Sequence, residues 1–312
     1  MEIFDDDLNA EVIGFGALNV DKLYSVENIA GADEESFIKS SRDTPGGSAA
    51  NTIIGLSKLG VSTSIIGKIA EDEDGDLIEY NLAINEVYSN NLIYADNGNT
   101  GKCIGFVDSD GDRCLYVDPG VNDDIVIDEI NPINIMRCKI MHYTSFVGNS
   151  FKTQIELLEK LSKECILSFD PGMLYVQKGF DEIKPILERC DILLINESEL
   201  RLLFNDEESS LKQLANNLLD MGIATVVVKK GSEGVFACNN KEECDVGVFE
   251  CDVVDTTGAG DSFNSGFLYA FLNDYNLEKS CEIGNWVASK AIEGFGMEKF
   301  PTLNDLKEFM DS

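Results

Sequence analysis

Four apolar runs in the middle of the chain restrict its fold more than any other feature. They are K-I-M-H-Y-T-S-F at 139–146, C-I-L-S-F-D at 165–170, D-I-L-L-I-N at 191–196 and T-V-V-V-K-K-G at 225–231. Stretches with helical periodicity separate them, at 151–164, near 180–189 and 197–204, and at 209–221. Apolar strands alternating with amphipathic helices predict a parallel sheet covered on both faces. Residues 11–16, E-V-I-G-F-G, add a buried strand that ends in glycines. Ligands of such sheets collect at the carboxyl ends of the strands. The polar residues Asp170, Asn196, Lys229 and Gly231 fall at those ends.

The most specific chemistry lies in V-V-D-T-T-G-A-G-D-S-F-N-S-G-F, residues 253–267. A β-branched approach meets a Gly-Ala-Gly turn, an acid follows at once, and an apolar helix begins. Glycines let the turn aim its N–H groups at one point, and the helix start adds the positive end of its dipole. That is an anion site, most often for phosphate. A carboxylate beside it, Asp261, has a reason to be there if it takes the proton of a hydroxyl that attacks the phosphate. Asp261 would also suit a plain helix cap. No G-x-x-x-x-G-K-[ST] loop exists, so the 258–260 amides must supply any phosphate cradle. A dinucleotide fingerprint fails as well, because Asn19 stands where its third glycine belongs.

D-T-T-G-A-G-D-S-F-N-S-G resembles the C-terminal signature of the ribokinase-type (PfkB) carbohydrate kinases. P-G-G-S-A-A-N at 45–51 resembles their N-terminal signature, and the likeness extends over nearly the whole chain. It implies one ribokinase-like domain over 1–312: a three-layer α/β sandwich with a mostly parallel sheet. A small β-sheet lid would come from excursions at roughly 17–43 and 98–120. By matching position, Asp261 becomes the catalytic base, with Gly258, Ala259 and Gly260 as the anion hole. Asn19, Asp21, Gly46, Gly47 and Asn51 become acceptor ligands, and Arg113 sits on the lid, where it faces either acceptor or solvent. Asn196, Lys229, Gly231, Gly234 and Asn285 would border the nucleotide. Glu199, of N-x-x-E, would hold Mg²⁺ through water, and Asp255 with Thr257 would hold a monovalent cation, K⁺. Asp170 receives no role.

The implied activity is transfer of the γ-phosphate of ATP to a hydroxyl of a ribose-like, other carbohydrate or nucleoside acceptor. A keto-deoxy acid, fructose or a sugar phosphate are alternatives, as is a non-catalytic sugar- or nucleotide-binding relative. No basic cluster for a second phosphate is evident in the acceptor segments, which favours ribose or a nucleoside.

Composition narrows the partners. Asp and Glu number 57 against 24 Lys and Arg, a formal charge of −33. Such a surface repels nucleic acid and anionic membranes. A solubility adaptation to a salty cytosol would account for it. Nine scattered cysteines without a C-x-x-C pair fit reduced thiols in a cytoplasmic protein. The acidic start M-E-I-F-D-D-D is unlike a targeting peptide, and no apolar run reaches the length of a membrane span. His142, the lone histidine, is expected to be a packed strand residue. Asp110-Gly111 between two alternating runs predicts a hairpin, and the lid it builds could pair two subunits.

Overall fold

The structure is a computed structural model that describes residues 10–109 and 112–311. In chain order the strands are β1 Val12–Phe15, β2 Asn19–Val26, β3 Ile38–Gly46, β4 Thr63–Ala70, β5 Leu92–Ala95, β6 Gly101–Val107 and β7 Arg113–Asp118. They continue as β8 Ile140–Thr144, β9 Ile166–Asp170, β10 Ile192–Asn196, β11 Thr225–Lys229, β12 Val235–Asn239 and β13 Glu243–Val246. The helices are α1 Ser48–Lys58, α2 Glu73–Ile84, α3 Pro132–Ile135, α4 Ser150–Leu158, α5 Gly172–Val176 and α6 Phe180–Leu187. α7 Glu197–Phe204, α8 Leu211–Asp220, α9 Ala259–Leu272, α10 Leu277–Ala291 and α11 Leu303–Asp311 complete them.

Among the described residues, the main sheet has nine strands in the order β13-β12-β11-β10-β9-β8-β1-β4-β5. Strands β11 to β5 in this order are parallel, and β12 and β13 add an antiparallel edge. The four apolar runs are β8 to β11, as their length and composition predict. β8 and β11 are buried at every position, which follows from helices lying on both faces. One apolar core lies between the sheet and α1, α9 and α10; the other lies under α4 to α8. The chain runs outward in opposite directions from β1, to β4 on one side and to β8 on the other. The crevice at that switch point is where the topology places a ligand.

A second sheet, β3-β2-β6-β7, stands apart as the lid. β2, β6 and β7 lie within the expected excursions of roughly 17–43 and 98–120, and β3 runs on to Gly46. The polar stretch 22–42, whose composition predicts irregular chain, instead supplies much of β2 and β3. β3 is an edge strand exposed over most of its length, so nothing demands apolar alternation there. β6 and β7 pair antiparallel as a hairpin requires, and the turn residues Asp110 and Gly111 lie outside the described residues. So does the acidic start of the chain.

Two glycines set the approach of the key helices. Gly47 caps α1 with φ +113, a conformation closed to most side chains, and a Cβ there would strike the Ala17 carbonyl. Gly266 lets α9 lie directly on α10. A Cβ on it would sit 2.9 Å from Val287 Cγ2 and 3.0 Å from both Gly284 Cα and the Ile283 carbonyl oxygen. Since backbone cannot retreat, Gly266→Val should destabilise the fold by about 1–3 kcal/mol. Urea unfolding checks this, and an unchanged midpoint would contradict so close a helix contact.

Candidate active site

A cavity of about 300 Å³ opens at the switch point, between the lid and the start of α9. The sequence motifs converge on it from opposite ends of the chain. Asn19 and Asp21 come from β2, Gly47 and Asn51 from the start of α1, and Thr257, Gly258 and Asp261 from the glycine turn and α9. Asn19 and Asp21 line one side because side chains two apart on a strand share a face. Gly46 and Asp255 border an adjoining groove that shares Asp21, Asn51, Thr257 and Gly258 with the cavity. A Cβ on Gly46 would fall 2.5 Å from Asp21 Oδ2, so glycine there makes room for that carboxylate.

Ser48 lines the cavity from within the N-terminal signature, and Cys103, Asn122, Thr144 and Ser145 line it with no motif of their own. Asn122 accepts from Leu18 N (2.9 Å) and donates to Leu18 O (2.7 Å) and Asn19 Oδ1 (3.1 Å), so it orients the Asn19 side chain. A polar residue after the P-G turn of the lid return was its only signal.

Gly258 adopts φ +75 and begins α9, whose first helical residues are Ala259, Gly260 and Asp261. Of the turn's amides, Ala259 N already donates to Thr256 O (3.1 Å), so the open donors of the helix start are those of Gly258 and Gly260; of the three residues, only Gly258 lines the cavity. Asp261 is half-buried, and its Oδ2 accepts from Asn51 Nδ2 at 2.9 Å. Burial pushes its carboxyl up to about 7, and the Asp170 charge adds to that rise. Hydrogen bonds from Asn51 and Ser48, and the Lys229 charge, act against it. Burial also raises Asp21, to about 6. A carboxylate near neutrality can accept a proton and release it again.

The residues expected around a nucleotide lie beyond the glycine turn. Lys229, buried at the end of β11, donates to Asp170 Oδ2 (2.6 Å) and Asn264 Oδ1 (3.3 Å). Its ammonium lies 3.4 Å from where a Cβ on Gly260 would be. Glu199 caps α7: its carboxylate accepts from Asn196 N (3.0 Å) and Asn196 Nδ2 (3.2 Å). Burial raises Glu199, and Asp170 raises it further. Gly231 (φ +59) and Gly234 (φ +88) bound the turn between β11 and β12. Asn285 donates to Val246 O (3.1 Å) and Gly247 O (2.8 Å), holding the chain where β13 ends.

Arg113 stands apart from the cavity. It is exposed at the start of β7, on the lid face that carries Val117 but four residues away, or about 13 Å along the strand. The solvated placement is the one found. His142 is a buried strand residue whose Nδ1 shares a 3.0 Å hydrogen bond with Ser168 Oγ. All nine cysteines are free. Among the described residues, no helix is long and apolar enough to cross a membrane.

Fold and similarity together define the class: this is a small-molecule kinase with the ribokinase-like α/β architecture. The chain belongs to the pfkB family of carbohydrate kinases, whose model matches residues 9–302. It is 38% identical to an uncharacterized sugar kinase of Archaeoglobus fulgidus, over 78% of this chain and 96% of that protein. It is 29% identical to an ATP-dependent ribose-1-phosphate kinase of Halopiger xanaduensis, over 96% of this chain and 97% of the relative. The crystal structure of Methanocaldococcus jannaschii nucleoside kinase superposes with a TM-score of 0.85 at 27% identity, covering 97% of this chain and 99% of that one. Arabidopsis thaliana ribokinase complexed with ribose and ATP has the same fold, with a TM-score of 0.88 at 22% identity over 97% and 99%.

The raised carboxyls have a consequence for stability. Folding lifts Asp21 and Asp261 above the usual Asp value of about 3.9, so the native state holds more protons from about pH 4 to 7. Their contribution is full below pH 4 and lost as pH rises through 6 to 7. Asp261→Asn keeps an acceptor for Asn51 without the buried charge. It should raise the melting temperature at pH 8 by roughly 2 °C, with the gain fading toward pH 4. Thermal scans across this range decide it; a variant that melts lower at pH 8 would contradict the assignment.

Proposed function

We propose that this protein transfers the γ-phosphate of ATP to a hydroxyl of a neutral acceptor, ribose or a nucleoside. The observation that carries this reading is Asp261 at the junction of the helix-start amides and a polar acceptor cavity. An acceptor hydroxyl held among Asn19, Asp21, Gly47 and Asn51 would point at the terminal phosphate. Its proton passes to the Asp261 carboxylate as the new O–P bond forms and the bond to the leaving ADP breaks. The amides of Gly258 and Gly260 take up the charge that develops on the phosphoryl oxygens, where a preorganised donor is worth most, while Ala259 N is already bonded to Thr256 O. Lys229, Asn196, Gly231, Gly234 and Asn285 are assigned to the nucleotide side.

The donor set suits hard cations. Glu199 offers carboxylate oxygens on the nucleotide side, and Asp255 borders the glycine turn, its Oδ1 accepting from Thr257 N (2.9 Å). Among the described residues no three His, Cys, Asp or Glu gather around a metal-sized space. On this reading Mg²⁺ would be reached from Glu199 through water and carried mainly by phosphates, with K⁺ at Asp255 and Thr257. Bound there, the metal would neutralise triphosphate charge.

The acceptor class follows from the lining. Among the described residues two carboxylates and no Lys or Arg border the cavity itself, and Arg42 of the adjoining groove is paired with Glu298, so an anionic acceptor would meet repulsion. Apolar Val117, Val147 and Leu174 complete its wall, suited to the less polar part of a nucleoside. Exposed Leu115 and Tyr116 on the lid support pairing with a second copy.

A coupled assay with MgATP and a panel of sugars, nucleosides and sugar phosphates tests the reading. Turnover is expected with ribose or a nucleoside; turnover confined to sugar phosphates would overturn the acceptor assignment. Asp261→Asn should lower kcat about 10²- to 10⁴-fold with little change in the KM for ATP. Since the base must be ionised, kcat/KM of the native protein should fall below about pH 7. A variant with near-native rate, or a flat acid limb, would remove Asp261 from the mechanism.

A further inference from the structure

Asp170 has no assigned part in the chemistry, yet it occupies the centre of the polar network under the anion site. It ends β9, and its side chain is about nine-tenths buried. Its Oδ2 accepts from Lys229 Nζ at 2.6 Å and from Asn264 Nδ2 at 2.7 Å. Asn264 is wholly buried one turn along α9 from Asp261, and its Oδ1 accepts from the same ammonium at 3.3 Å. The three side chains form a closed triangle that joins two strand ends to the second turn of α9.

The location of the ammonium needs explaining. It faces Gly260, at the start of α9, where the helix dipole already places positive charge. A buried lysine at that end is unfavourable twice over, through lost hydration and through the dipole. A buried ion pair is also a weak source of stability compared with apolar packing. The arrangement gains a purpose when an anion occupies the glycine turn, because the ammonium then adds to the amides that face it.

We propose that Asp170 is a positioning residue for phosphoryl transfer: with Asn264 it fixes the Lys229 ammonium against Gly260, beneath the anion turn. The proposal rests on the kinase reading above and extends it to a residue that touches neither acceptor nor phosphate. It also has an electrostatic side. Asp261 faces Asn51 and Ser48 from α1, Asp170 from β9 and Lys229 from β11. Asp170 itself faces His142 from β8, Lys229 and Asn264, and Glu199 of α7 senses its charge. Asp170 therefore opposes ionisation of the base and the ammonium favours it, so the pair holds these effects in partial balance.

Asp170→Asn tests this, since an amide of the same shape can still accept from Lys229. With the fold checked by melting, kcat should fall about 10- to 100-fold and MgATP affinity about tenfold, while the acceptor KM stays within threefold. The acid limb of kcat/KM should move to lower pH, which a purely structural defect would not produce. Lys229→Met should lose a similar factor in kcat, and Asp170→Asn/Lys229→Met should lie within threefold of Lys229→Met, because Asp170 acts through the ammonium. That second comparison serves alone if Asp170→Asn does not fold. Multiplicative losses, or a folded Asp170→Asn with native kcat, affinity and pH profile, would overturn the proposal. Calorimetric MgATP titrations read the same cycle without turnover. A native protein that binds MgATP but phosphorylates nothing would thus sink the kinase reading, while the affinities still decide this one.

Discussion

The packing of α9 on α1 is the constraint from which the site follows. The Ser265 hydroxyl is shared between the carbonyls of Thr52 (3.1 Å) and Asp261 (2.8 Å), and Thr52 Oγ1 reaches the Asp261 carbonyl at 3.4 Å. Gly55 gives this crossing its room, because a Cβ there would run into Ser265 and Phe300. With the two helices so close, Asn51 and Asp261 meet across 210 positions of sequence. Neither helix could shift without separating the Asn51 amide from the Asp261 carboxylate beside it. That carboxylate is thus held by elements fixed by packing, the condition under which geometry is kept to fractions of an ångström.

The charge of the molecule and the charge of its site are separate matters. A protein at −33 must make a pocket for a polyanion out of local positive potential. Backbone amides at the start of α9 supply part of it at no cost in net charge, and a buried ammonium supplies more. Because Lys229 is paired, it adds field at Gly260 without leaving an isolated charge in the interior. Burial of Asp261, rather than any neighbouring acid, is the larger influence on its proton affinity. The low-dielectric setting that strengthens hydrogen bonds there therefore brings the Asp261 carboxyl near neutrality.

Much of this architecture could be read from the chain. Strands β8 to β11 are visible as apolar runs because they are buried on both faces, and the two glycine signatures are visible because backbone conformation there admits little else. The lid was harder to see. β3 is exposed over most of its length, so its residues bear no periodic trace of the sheet they belong to. The network around Asp170 was harder still. Its members lie at 170, 229 and 264, each unremarkable in its own segment, and only the parallel order of β9, β10 and β11 brings the first two together. Asn122 escaped notice for a similar reason: its task is to bond residues 18 and 19, and no local pattern encodes a partner 103 positions away.

This division has a physical basis that bears on specificity. Features legible in sequence are those that the backbone or the core imposes locally: a φ that requires glycine, or a strand with no wet face. The walls that choose an acceptor are assembled otherwise. Cys103 and Val117 come from the lid, Thr144 and Ser145 from the end of β8, and Leu174 from α5. A change at Val117 or Leu174 alters the shape of the cavity without touching the α1–α9 crossing or the anion turn. On the kinase reading proposed above, acceptor choice could therefore vary while the transfer chemistry stays fixed.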